Sequence, residues 1–238
     1  MRSPARFVRH STLIRRRPCL ALAVASPLLL LACATTVFPP ERVTDPAQVG
    51  VLDHGHHSSL IMEVEGGRMR RYSYGDWRWY ALRQTGPAEA TSALFWPSQA
   101  ALGRKALPGP FSPMAVAQEV KVPIEHALYL TVETRDVQRL VNHLDRIFDE
   151  NMESRVYNPA YDLEFVHHPH PYTMLHNSNR VVGEWLERLE CRLEGSTLFS
   201  IWRLGNDSSA SVLADPSARS AERHSTDGHS EGPRAGGT

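Results

Sequence analysis

Val49-Gly-Val-Leu-Asp53 and Ser58-Ser-Leu-Ile-Met-Glu-Val64 are two short apolar runs of the kind that form β-strands. Gly66-Gly67 follows them as a hairpin turn, and residues 70–75 then supply a returning strand. Because a tight hairpin joins neighbouring antiparallel strands, this stretch predicts a domain that begins with an antiparallel sheet.

The rest of the chain alternates between helical and extended patterns. Thr134 occupies an N-cap position, and six apolar residues follow it at helical spacing, which predicts the clearest helix of the chain. A second amphipathic helix is expected just after Asn177-Ser178-Asn179. Short helices are also predicted over residues 77–82 and 89–102, the latter interrupted near Pro97, and strands over residues 120–122, 127–132 and 197–204. The fold class expected is therefore α+β, an antiparallel sheet packed with helices.

The N-terminus has the composition of an export signal. Several arginines precede the apolar run from Leu20 to Cys33, which Pro27 breaks before it reaches the about 20 residues that a membrane span needs. Leu30-Leu-Ala-Cys33 resembles the lipobox of bacterial lipoproteins. Residues 1–33 are thus predicted to be a lipoprotein signal peptide and Cys33 the lipidation site, with ordinary cleavage near Ala34 as the alternative.

This reading places the protein in the cell envelope, lipid-anchored and facing the periplasm. Ala34 follows Cys33 where an Asp would be associated with inner-membrane retention, which favours the outer membrane. Residues 34–48 are predicted to be a proline-bearing linker, residues 49–205 the folded domain and residues 206–238 a disordered tail.

Composition excludes some classes of function. The chain has 238 residues and a formal net charge of +0, so nothing favours binding to nucleic acid. Cys19 and Cys33 lie in the predicted signal, and Cys191 is then the one cysteine of the mature protein, which precludes an internal disulfide.

Two motifs carry most of the chemistry: His54-Gly-His-His-Ser-Ser-Leu60 and Tyr172-Thr-Met-Leu-His-Asn-Ser-Asn-Arg180. With Ser73-Tyr-Gly-Asp76 between them, they resemble in order and interval the motifs of a bacterial family, domain of unknown function 2459. The resemblance covers roughly residues 49–204. That family in turn resembles circularly permuted NlpC-like papain-fold proteins, in which a His on a strand precedes a Cys at a helix N-terminus.

The resemblance implies that His57 is the general base, residue 178 the nucleophile and Asp76 the group that orients the imidazole. A helix N-terminus stabilises a thiolate, but position 178 holds Ser, whose hydroxyl does not ionise near neutral pH. The implied activity is an acyl or amide hydrolase or transferase that is weak or lost. Asn177-Ser178-Asn179 is equally typical of a simple helix cap.

The competing function is a non-catalytic envelope protein that binds a peptide, a glycan, a lipid or a metal. Histidines of the two motifs could meet around zinc or copper, although no metal or other cofactor is expected. An aromatic cluster could line a ligand groove or form ordinary core beneath the hairpin: Tyr72, Tyr74, Trp77, Trp79 and Tyr80.

Overall fold

Two β-sheets and four helices form the part of the chain that the computed structural model describes, residues 34–84 and 96–205. The strands are β1 Thr35–Phe38, β2 Pro46–Asp53, β3 Ser58–Glu63, β4 Met69–Asp76, β5 Ser98–Leu107, β6 His126–Glu133, β7 Val156–Asn158, β8 Leu163–Tyr172, β9 Arg192–Gly195 and β10 Trp202–Leu204. The helices are α1 Trp77–Tyr80, α2 Pro113–Glu119, α3 Thr134–Glu150 and α4 Ser178–Arg188.

The larger sheet has seven strands in the order β6-β2-β3-β4-β5-β8-β7, and every neighbouring pair is antiparallel. The hairpin between β3 and β4 turns at Gly66 and Gly67, whose φ angles of 78° and 71° suit glycine. The smaller sheet has the order β10-β1-β9, with β1 parallel to β10 and antiparallel to β9.

Helices cover both faces of the larger sheet, but unequally. The longer helices α3 and α4 pack their apolar sides on one face, which we call the helix face, where Leu60, Tyr72 and Tyr74 meet Val181 and Phe148 in one buried cluster. The other face, which we call the cavity face, is covered by α2 over Ile61 and by α1 over Phe165. Because side chains of a strand alternate between faces, each strand contributes to both.

These elements confirm the α+β class with an antiparallel sheet, and both long amphipathic helices. The helix predicted to follow Thr134 begins at Thr134 itself, with Glu133 in the capping position. Predicted strands over residues 49–53, 58–64, 70–75 and 127–132 are also present, as is the short helix at residues 77–80.

Other local predictions are wrong. Residues 98–102 belong to β5 rather than to a helix, because Ala100, Ala101 and Leu102 lie between β4 and β8 with both faces buried, and this tertiary setting overrides the helix preference of alanine. Residues 120–122 form no strand, and of residues 197–204 only the last three are extended.

The segment from His167 to Tyr172 is strand rather than the proline-stiffened loop that its sequence suggests. It continues β8, which pairs with β5 through a bulge near Ser98. The opposite edge of this segment does not pair with β7, because β7 pairs only with residues 163–165 of β8. Proline, which has no N–H to donate, is tolerated at such an edge.

Residues 34–48 are not a linker. Thr35 and Val37 are fully buried in β1, and residues 46–48 already belong to β2. The partners of β1 are β9 and β10, at the other end of the domain, so no local pattern announces the pairing. The folded domain therefore extends back to Ala34.

The predicted signal peptide, the Cys33 lipidation site, residues 89–95 of the predicted helix and the tail at 206–238 lie outside the described residues. Within the described ranges, no helix is both long and apolar enough to cross a membrane.

Candidate functional site

A cavity of about 650 Å³ opens on the cavity face of the larger sheet, where β2 ends and β3 begins. Its lining includes both expected partners from the first half of the chain, His57 and Asp76. Aromatic rings form much of the remaining wall, from Trp79, Tyr80, Tyr161 and Tyr172.

His57 is buried in this wall, with 7% of its surface exposed. Its Nε2 atom lies 2.7 Å from the Ser73 hydroxyl, and its Nδ1 atom is buried without a hydrogen-bond partner among the described residues. The ring packs against Tyr80, with centroids 4.5 Å apart. Burial, reinforced by the charges of His54 and Arg71, holds the pKa of His57 well below its usual value, so the ring is neutral at physiological pH.

The strand alternation explains why His57 reaches this wall. Ser59 and Ser73 are paired across β3 and β4 and point to the cavity face, whereas Tyr72 and Tyr74 point to the helix face. His57 is two residues before Ser59 and shares its side of the sheet, as its bond to Ser73 requires.

Arg71 is the buried charge of the site, with only 2% of its surface exposed. Its Nε donates to the Ser59 hydroxyl over 3.0 Å, one terminal nitrogen donates to the Tyr161 carbonyl over 3.3 Å, and the other lies 3.1 Å from His54 Nε2. Burial lowers the pKa of Arg71 to about 10, against the opposing field of Asp162, so the guanidinium stays charged at neutral pH.

His54 is held as the acceptor of this network. Its Nδ1 lies 2.6 Å from the Pro123 carbonyl, which can only accept, so Nδ1 carries the proton and Nε2 is free to accept from Arg71. Burial, together with the nearby Arg71 charge, lowers the pKa of His54 to about 4. His54 is therefore a neutral imidazole that accepts a hydrogen bond from the buried Arg71 guanidinium.

Asp76 lines the same cavity but does not orient His57. One oxygen caps α1 by accepting from the Trp79 N–H over 2.8 Å, and the other accepts from the Ser98 hydroxyl. The helix that Asp76 caps places Tyr80 directly over Gly75, where a Cβ atom would overlap the ring. The residue that holds His57 is Ser73.

Ser178 is the first residue of α4 and is buried. Asn177 caps this helix, since its side-chain oxygen accepts from the Arg180 N–H over 3.0 Å. Asn177 lines the cavity, but Ser178 is not among the lining residues, and no hydrogen bond within residues 34–84 and 96–205 joins Ser178 to His57. The structure thus brings His57 and Asp76 to one cavity and leaves Ser178 outside its lining.

Seven of the histidines in the described ranges fall into two separate groups, and His126 and His167 belong to neither. His54, His56 and His57 line the cavity, whereas another set lines a smaller pocket between α3, α4 and β8: His143, His168, His170 and His176. Among the described residues, no three His, Cys, Asp or Glu side chains are arranged to hold a metal ion. Cys191 is buried beyond the end of α4, where burial raises its thiol pKa to about 12.

Sequence reasoning missed Arg71 and Tyr161, and it named Ser73 in a motif without assigning it a role. Arg71 stands beside Arg70 in a strand whose two faces are both covered, so alternation alone does not reveal which arginine is buried. The predicted aromatic cluster is divided: Tyr72 and Tyr74 are core on the helix face, while Trp79 and Tyr80 line the cavity. No pattern in the sequence indicates that Tyr161 lines the cavity.

No protein-family model matches the chain, no curated protein matches it, and no solved structure matches its fold.

Proposed function

We propose that this domain is a non-catalytic binding domain of a cell-envelope lipoprotein, and that it holds a small peptide in the cavity beside His57, with a carboxylate of the peptide on Arg71. The observation that carries the proposal is a buried guanidinium in the cavity wall whose hydrogen-bond partners among the described residues are all uncharged.

The hydrogen bonds of Arg71 leave room for such a ligand. A guanidinium has five N–H donors, and the three acceptors of Arg71 are all uncharged. No ion pair joins Arg71 to an acidic residue within the described ranges. Asp162, whose field acts on Arg71, is itself bound by Lys105 and by the Tyr157 hydroxyl. A carboxylate bound directly to the guanidinium would add charge-assisted hydrogen bonds that Asp162 does not make.

The other charges of the cavity favour a ligand that also carries an amino group. Asp76 has both oxygens engaged, but Glu125 lines the cavity from an exposed position. An amino group of a peptide could approach Glu125 while its carboxylate meets Arg71. The aromatic wall around them offers apolar surface for side chains, as ligand pockets commonly do.

The finer fold proposal is a circularly permuted papain-like, NlpC-like domain. It is supported by the order of the motifs, a His at the start of a strand before a capped helix, and by the packing of α4 on that same sheet. Within this proposal the second candidate function is a weak acyl or amide hydrolase or transferase with His57, Ser178 and Asp76. Its specific support is Asn177, which precedes Ser178 and lines the cavity.

The proposed location is the periplasmic side of the outer membrane, with a lipid anchor on Cys33. It is supported by the basic and apolar N-terminal segment that ends in Leu30-Leu-Ala-Cys33, and by the folded domain that starts at the next residue.

Two measurements on residues 34–238 separate the candidates. The first adds a fluorophosphonate probe to the native sequence and to Ser178→Ala and His57→Ala. We expect no labelling of the native protein above background. If the native protein were labelled and both variants were not, a serine hydrolase would be established and the binding proposal overturned.

The second measurement follows Trp fluorescence while a panel of di- and tripeptides with free C-terminal carboxylates is added, each beside its C-terminal amide. We expect carboxylate-dependent binding that Arg71→Met abolishes. Arg70→Met is the matched control, because Arg70 is the neighbouring strand residue and pairs instead with Asp145. Binding that ignores the carboxylate, or that survives Arg71→Met, would contradict the assigned role of Arg71.

A further inference from the structure

Four large apolar side chains are exposed on two segments that are hydrogen-bonded to each other beside β1. Leu198, Phe199 and Ile201 expose 36%, 49% and 40% of their surface in the segment before β10, and Leu175, in the segment before α4, exposes 66%. The two segments are joined by the Asn177 side chain, which donates to the Leu198 carbonyl over 3.1 Å, and Leu175 and Leu198 line one shallow pocket. We call these four residues the apolar patch.

The buried Ser200 fixes how this segment is oriented. Ser200, between Phe199 and Ile201, is buried and donates to the Gly55 carbonyl, so its two neighbours point outward. Exposed apolar side chains that stand together, rather than singly, mark surfaces that contact a partner or a membrane.

The patch lies beside the point where the chain enters the domain. The Thr35 N–H donates to the Ile201 carbonyl over 2.8 Å, and the Thr35 hydroxyl donates to the Ser196 carbonyl over 2.7 Å. Ala34 is itself 5% exposed, so the domain is ordered from its first described residue.

The distance from the anchor to the patch is consequently short. Cys33 is bonded to Ala34, and consecutive Cα atoms are about 3.8 Å apart. The segment predicted to be a spacer begins in β1 and ends in β2, so it provides no length between a lipid on Cys33 and the body of the domain.

From this geometry we infer that the apolar patch rests on the lipid surface that holds the Cys33 anchor, with Leu175, Leu198, Phe199 and Ile201 inserted at the interface. The inference rests on the lipid anchor proposed above. Arg180, which lines the shallow pocket with Leu175 and Leu198, is paired with Glu184. An acyl anchor and an apolar surface together give firmer membrane attachment than either alone.

The same contact orients the ligand cavity. Ser200 bonds Gly55 within the His54–His57 loop, which forms one edge of the cavity. With the apolar patch on the lipid surface, this edge of the cavity lies next to the membrane. The cavity then binds its peptide close to the membrane surface.

The test uses the full-length chain purified with its native acylation and placed in vesicles of phosphatidylethanolamine and phosphatidylglycerol. Phe199→Cys and Ile201→Cys are labelled with a membrane-impermeant maleimide and compared with Met114→Cys. Met114 is 72% exposed and lies near the β3–β4 hairpin, at the opposite end of β3 from Ser58. The native Cys191 is buried and contributes little background.

We expect the thiols at positions 199 and 201 to react about tenfold or more slowly than the thiol at 114 in vesicles, and at similar rates in unanchored residues 34–238. Mass spectrometry of the same sample reports whether Cys33 carries acyl chains. Acylated protein with equal rates at all three positions would overturn the patch inference and leave the anchor standing. An unmodified Cys33 would overturn the anchor, and the patch inference with it.

Discussion

The two faces of the larger sheet are built from the same strands yet differ in what they bury. On the helix face, β3 and β4 contribute Leu60, Met62, Tyr72 and Tyr74 to an apolar core with α3 and α4. On the cavity face, the alternate residues of the same strands include Ser59, Arg71 and Ser73, all within 2% of complete burial.

This difference separates stability from function. Apolar burial stabilises a fold by roughly 25 cal/mol per Å², whereas a buried guanidinium and a buried imidazole with an unpaired nitrogen work against it. The cavity face is therefore the part of the sheet where the chain tolerates an energetic cost, and such costs concentrate at binding and catalytic sites.

The largest expected effect lies on the helix face. Phe148, fully buried in α3, packs in the apolar cluster and beneath the Arg104 guanidinium, 3.8 Å from its ring centroid. Phe148→Ala should lower the free energy of unfolding by about 3–5 kcal/mol, measured by urea denaturation, and leave peptide affinity unchanged. Loss of peptide binding in the folded variant would show that the two faces are coupled.

Lowering the pH should destabilise the folded domain through buried histidines on both faces of the sheet. His54 on the cavity face and His168 on the helix face each have a pKa of about 4 in the folded chain, lowered chiefly by burial from an ordinary value of 6.5. Between these pH values the unfolded chain binds a proton that the folded chain does not, so the free energy of unfolding should fall as pH drops from 6.5 toward 4.

The measurement is urea denaturation across that pH range. His168→Gln should reduce the dependence of the unfolding free energy on pH. An unchanged dependence in His168→Gln would show that this imidazole is accessible to protons in the folded state.

A smaller effect should distinguish two glycines of the cavity face. A Cβ at Gly75 would overlap the Tyr80 ring, and one at Gly103 would overlap the Phe165 ring. Each Ala substitution should cost about 1–3 kcal/mol in unfolding free energy. Gly75→Ala should also weaken peptide binding, because Tyr80 lines the cavity and packs on His57, whereas Gly103→Ala should not. Equal affinities in the two variants would count against Tyr80 as part of the binding wall.

The smallest effects concern the start of α4. Asn177→Ala removes the capping oxygen and should cost about 1 kcal/mol, while Ser178→Ala should change stability by less than about 0.5 kcal/mol. Denaturation midpoints of the two variants test this order. A large loss in Ser178→Ala would reveal a structural role for its hydroxyl that the hydrogen bonds of the described residues do not contain.

The comparison also explains which predictions from sequence succeeded. The amphipathic helix from Thr134 and the hairpin at Gly66-Gly67 are local features, since spacing of apolar residues and backbone freedom of glycine act over a few positions. Strands β5 and β8 were misjudged because both depend on neighbours far away in the chain. The linker was misjudged for the same reason: Thr35 pairs with Gly195 and Trp202.

The candidate site shows the same division. By itself the sequence determined the α+β class, the two long helices and the placement of His57 next to a strand, because these follow from periodicity and short-range turn chemistry. Only the tertiary structure decided that His57 bonds Ser73, that Asp76 caps α1, and that Arg71 is a buried cation with uncharged hydrogen-bond partners. Those outcomes depend on which face of a strand each residue occupies and on what packs against it. Neither can be predicted from the neighbouring residues in the sequence.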